Sequence, residues 1–168
     1  MSMSQLAGVR RVYQFALEVI CFVLMAALAI IVVMGVVYRT LGEALVWYDE
    51  IAAILLAWLT YYGAALAAYR GAHIAVGSIV EAMPSALRVV VTVFAEACVI
   101  GFFVLLGWVG WQILDVLATD TLVSLPEVPV SYAQSVIPIG SLLFVVAELL
   151  RLPELLSTAA RPRMEVNP

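Results

Sequence analysis

The run VICFVLMAALAIIVVMGVV, Val19–Val37, contains neither a charged residue nor a proline. A hydrocarbon core about 30 Å thick is crossed by roughly 20 helical residues at about 1.5 Å rise each, so this stretch alone reaches across a bilayer. A helix satisfies its own backbone where no water can. Three further runs follow. Ile51–Tyr69 is bounded by Asp49-Glu50 and Arg70, Val89–Leu114 is interrupted only by Glu96, and Val130–Ala147 contains Pro138. The expected spans are residues 12–38, 51–69, 89–114 and 130–150, which defines an all-α integral membrane protein with four transmembrane helices.

Composition agrees. Of the 168 residues, 65% are hydrophobic and 12% charged, with a mean hydropathy of +1.12. A soluble globular domain has about 45–50% apolar and about 25% charged residues, so a water-soluble fold is excluded. The formal charge of −4 and the lack of Lys leave no basic stripe for nucleic acid. Cys21 and Cys98 lie inside apolar runs and read as small packing residues, with no CxxC or Cys/His cluster. Arg10-Arg11 and the Ala27-Leu28-Ala29 triplet imitate a secretory signal, but the apolar stretch far exceeds its usual core of about 7–15 residues. The expectation is an uncleaved first helix.

All eight basic residues are Arg, and they alternate between the loops. Arg10 and Arg11 precede the first span, Arg70 and Arg88 flank the second loop, and Arg151, Arg161 and Arg163 follow the last span. Arg39 stands alone in the first loop. By the positive-inside rule both termini are cytoplasmic. The outer side then holds Glu43, Asp49, Glu50, Asp115, Asp120 and Glu127, with Tyr38, Trp47, Tyr48, Trp108, Trp111 and Tyr132 as its aromatic belt.

Val76, Ile79, Val80, Met83 and Leu87 recur at helical spacing in the second loop and predict a short amphipathic helix in the inner interface. Pro84 either kinks that helix or opens the third span. The third loop, 115–129, carries Leu122, Val123 and Leu125, which suit a dip toward lipid. The chain reads as one domain, 1–168, with a disordered tail over 158–168.

Few residues are equipped for chemistry. His73 is the only histidine, whereas metal or haem ligation in a bundle needs several facing ligands. It reads as a hydrogen-bonding group. Nothing forms a nucleophile–base pair or a phosphate loop, so the chain reads as no enzyme and no cofactor is expected. Glu96 lies about 12 Å into its helix past Arg88. An ionised acid at helix centre costs about 2.5–3.5 kcal/mol on insertion scales, so Glu96 should contact a neighbouring helix or serve as a proton or sodium site. Glu18 has the same two readings. Arg39 and the Asp49-Glu50 pair suggest an Arg–carboxylate staple between the first two helices, with a docking surface as the alternative. Ala53/Ala57, Gly63/Ala67 and Ala64/Ala68 have the small-xxx-small spacing of close helix contacts, and Pro138 predicts a kink eased by Gly140 and Ser141.

The segment Arg39–Gly77 resembles the small membrane subunit, of the DctQ type, of tripartite ATP-independent periplasmic (TRAP) transporters. The similarity rests on Arg39, Trp47-Tyr48-Asp49-Glu50, Trp58, Gly63-Ala64, Arg70-Gly71-Ala72-His73-Ile74, Val76 and, in the fourth span, Ile137-Pro138-Ile139-Gly140. Two positions depart: Gly77 stands where members commonly carry an acid, and Asp49-Glu50 where many carry two glutamates. The resemblance implies a large partner subunit of about a dozen helices that moves substrate and sodium, and a periplasmic binding protein that delivers an organic anion. It also implies a non-catalytic scaffold role in a bacterial inner membrane. Arg39, Trp47, Asp49, Glu50, Trp58, Gly71, His73 and Glu96 would then stabilise helix ends or the subunit interface. The alternative is a self-sufficient, proton-coupled transporter of the multidrug type using Glu96 or Glu18.

Overall fold

The computed structural model describes residues 3–71 and 83–159. Its helices are α1 (Met3–Thr40), α2 (Tyr48–Arg70), α3 (Ser85–Leu117), α4 (Val130–Gln134) and α5 (Val136–Ala159). Four stretches are long and apolar enough to span a membrane: Gly8–Thr40, Tyr48–Arg70, Ala86–Leu117 and Val130–Ala159, the last combining α4 and α5. The helices outrun the expected spans, α1 reaching about 57 Å at its 38 residues. The last helix continues to Ala159, two residues into the stretch expected as the tail. His73 and most of the expected interfacial helix lie outside the described residues.

Local chemistry explains where these helices stop. Past α1, Gly42 takes a left-handed φ of +84°, and the Glu43 amide donates back to the Tyr38 carbonyl at 3.0 Å. α2 closes on Gly71 at φ +68°, whose N–H caps the Ala67 and Ala68 carbonyls. Pro84 is extended and precedes α3, so it opens the third span. In the fourth span, the Pro138 ring has no N–H and crowds the carbonyl four residues back, at Gln134. The helix is interrupted there, between α4 and α5. Gly140 and Ser141 are both buried at helix contacts.

The helices pack in the order α1–α2–α5–α3, with α1 on α2, α2 on α5 and α5 on α3. α5 is the central member: 33% of the fourth span's most apolar window is buried, against none of α3's. Leu17 of α1, Tyr62, Ala65 and Ala68 of α2, and Val136, Phe144 and Ala147 of the last helix form the core. α3 joins through Phe103, whose ring stacks on Phe144 with centroids 3.7 Å apart.

Glycines set the spacing at each seam. A Cβ on Gly140 would lie 2.7 Å from Tyr61 Cβ, and one on Gly110 2.6 Å from Ile137 Cγ2, while the Tyr48 ring lies over Gly35. In lipid, such close approaches supply the dispersion contacts that hydrophobic burial cannot. The expected small-residue faces are only partly used. Ala68 is fully buried and Ala64 packs against the core, whereas Ala53 and Ala57 are exposed and the space beside Gly63 is open.

The third loop also departs from expectation. Leu122 is buried rather than lipid-facing. The loop closes on itself through Leu122 N–H to the Val128 carbonyl and Val130 N–H to the Asp120 carbonyl, both at 2.9 Å.

Gly140→Ala is expected to destabilise the purified protein in mild detergent by about 1–3 kcal/mol through overpacking. Gly63→Ala, beside open space, should not lower the thermal midpoint, which separates the steric effect from the change in helix propensity.

Candidate functional site

The polar groups lie in three places: an acidic end of the helix row, a basic end, and the α3–α5 seam. At the acidic end α2 starts after Trp47, with Asp49 and Glu50 in its first turn, where the helix dipole favours negative charge. Glu50 does not reach Arg39. Its carboxylate accepts from the Val123 amide at 3.0 Å, the Ser124 amide at 2.8 Å and the Ser124 hydroxyl. It therefore pins the third loop to the start of α2. The expected Arg39 staple does not form: Arg39 is exposed, and among the described residues the ion pairs are Arg10–Glu154 and Arg70–Glu18. Asp49 is exposed too, because one helical step turns it away from the loop. Further along α2, Trp58 Nε1 donates to the Ala133 carbonyl at 3.0 Å and ties α2 to α4.

At the basic end every spanning helix is tied to a neighbour. Arg70 of α2 pairs with Glu18 of α1 at 2.6 Å, and Gln14 donates to the same carboxylate oxygen at 2.7 Å. Arg10 of α1 bonds both Glu154 and the Leu150 carbonyl of α5. Tyr13 donates to the Leu143 carbonyl at 2.5 Å and meets Tyr69 edge-on at 5.6 Å. Arg88 of α3 donates to the Ala159 carbonyl at 2.8 Å. Gly71 sits under the Arg151 guanidinium, where a Cβ would come within 2.5 Å of it. Two constraints thus coincide on that glycine, a left-handed backbone and a cation resting on it.

In the α3–α5 seam, Glu96 meets Glu148. Glu148 is only 3% exposed, and its carboxyl interacts with that of Glu96 and with the charge of Arg151. Glu96 thus contacts a neighbouring helix, but through a second acid. Glu148 escaped the sequence reading because the fourth span was expected to end near residue 150, which made it resemble an interfacial charge. Its spacing from Phe144 and Ser141, four and seven residues back on one face, was the available signal. Ser124 carried no signal, since its partner is more than seventy residues away in sequence.

No group of three or more His, Cys, Asp and Glu able to hold a metal occurs among the described residues. Cys21 and Cys98 are free thiols. Ala29, Ile30, Val33, Met34 and Val37 line an open apolar face of α1.

These features define a multi-pass helical membrane protein in which several polar side chains join one helix to another. The chain belongs to the family described as tripartite ATP-independent periplasmic transporters, DctQ component, which matches residues 28–158. It is therefore a TRAP transporter component, and membership implies association with the other components of such a system. No curated protein matches it.

Glu50→Ala is expected to raise amide hydrogen exchange at Val123 and Ser124 to the rate of unprotected loop amides, with the helices unaffected. Gly71→Ala should cost about 1–2 kcal/mol for the left-handed backbone alone. The collision with Arg151 adds to that, and thermal unfolding should show a loss larger than the backbone penalty.

Proposed function

We propose that this chain is the non-catalytic scaffold subunit of a sodium-coupled TRAP transporter. It lies in a bacterial inner membrane with both termini cytoplasmic. It braces the large membrane subunit, which takes up an organic anion delivered by a periplasmic binding protein. The observation that carries this reading is where the acids go. Glu18 is held by Arg70 and Gln14, and Glu50 by the third loop. Each fixes one element against another. Glu18, one of the two acids available to a self-sufficient coupled transporter, is engaged in this way.

Mechanistically, an elevator-type partner needs a part that stays still while another part moves. A helix row laced at both ends, with seams set by glycines, is suited to that static role. Its flanking helices leave wide apolar surface for the partner and for lipid, including Phe94, Phe102 and Leu105 on α3 and Phe15, Phe22 and Ile30 on α1. Trp58 and Gly71 act by holding a helix seam and a helix end. Arg39 and Asp49, exposed at the acidic end, are the members of the set left to meet other components.

The test is co-expression with the large TRAP membrane component, mild detergent extraction and recovery through a tag on this chain. The wild type is expected to bring down the large polypeptide, and Glu50→Lys to bring down markedly less and reduce uptake in reconstituted vesicles. Wild-type levels of both in the variant would remove the role given to the Glu50 clamp.

A further inference from the structure

We propose that Glu96 and Glu148 form a one-proton binding site that fastens α3 to α5. The geometry begins with the register of that seam. Gly110 lies against Ile137, Gly107 against Ser141, Phe103 against Phe144, and Arg88 reaches the Ala159 carbonyl. Paired positions sum to nearly the same number along the whole antiparallel seam. Glu96 is therefore level with Arg151, and Glu148 is one turn away on the same face. The two carboxyls interact directly in this register.

Both are short of donors. The Oε2 atoms of Glu96 and Glu148 are buried without a hydrogen-bond partner, and a buried acceptor left unpaired costs about 1–3 kcal/mol. The neighbouring cations do not bond them. The Arg151 guanidinium lies over Gly71 at the end of α2 and forms no ion pair among the described residues. Around this site, no donor among the described residues bonds the Oε2 of either acid. On α1, Arg10 is bound to Glu154, Tyr13 to the Leu143 carbonyl, and Glu18 to Arg70 of α2. On α3, Arg88 is bound to Ala159. The missing donor is then a proton carried by one carboxyl and given to the other.

Charge counting selects one proton. With both acids ionised, the pair and Arg151 carry a net charge of minus one; with both protonated, plus one. With a single shared proton the cluster is neutral, the state that a seam at membrane depth favours. Like-charged carboxylates sharing a site cannot both stay ionised. Loss of the shared proton places two charges in the seam and weakens the hold on α3, whose other ties include the Phe103–Phe144 stack, the glycine contacts and Arg88.

The test is infrared spectroscopy of the full-length protein in detergent at neutral pH, comparing wild type with Glu96→Gln and Glu148→Gln. Either variant leaves one carboxylate beside Arg151, a neutral pair that needs no proton. The wild-type spectrum is expected to contain a protonated-acid C=O stretch that shifts on exchange into D2O and disappears in each variant. Exchanging choline for sodium should leave the band intact. Gln preserves side-chain volume, so unchanged thermal midpoints show that both variants are folded. Absence of the band from the wild type, its survival in either variant, or its loss on adding sodium would overturn the one-proton site. The last outcome would indicate a cation in its place.

Discussion

Tyr61 of α2 packs onto Gly140 of α5, and the helix row depends on that approach. Inside lipid, apolar side chains gain nothing by leaving one hydrocarbon for another, so helices hold together only where backbones come close enough for dense contact. Gly140 gives α2 that access to α5. The fully buried Ala65, Ala68 and Ala147 continue the same closeness toward the basic end. With α2 and α5 fixed, α1 is laid against α2 by the Tyr48 ring on Gly35, and α3 against α5 at Gly107 and Gly110. α5 is therefore the axis of the molecule, and its interrupted start at Pro138 places Gly140 and Ser141 where α2 and α3 need them.

The polar groups obey a second constraint. A charge or an orphaned donor is expensive at membrane depth, so each needs a partner within reach. The chain turns that requirement into ties: Arg70 with Glu18, Arg10 with Glu154, and Glu50 with the third loop. The ties join elements distant in sequence and make the row stiff. Such stiffness fits a subunit whose work is to stay in place beside a moving neighbour.

The spans were legible from the sequence because the bilayer imposes run length so strongly. Val19–Val37 and its three successors needed only counting. Helix ends were less legible. α1, α3 and α5 run on past their apolar cores, where lipid no longer dictates composition and capping decides. Gly71 was visible as a motif residue, but its reason, a left-handed cap beneath Arg151, comes from α5. Charge alone suggested that Glu50 would face Arg39; the backbone amides of Val123 and Ser124 outcompete it, being fixed donors that need no long side chain to be ordered. Pro138 announced a break, while the distance over which it acts, back to Gln134, follows from its ring meeting the carbonyl one turn earlier.

If the row serves as a brace, solute movement belongs to another polypeptide. Sealed proteoliposomes containing this chain alone, the large TRAP membrane component alone, or both, with the binding protein and an organic anion outside and an imposed sodium gradient, distinguish the possibilities. Uptake is expected only when both membrane polypeptides are present. Gradient-driven uptake by this chain alone, or undiminished uptake by the large component without it, would contradict the bracing role.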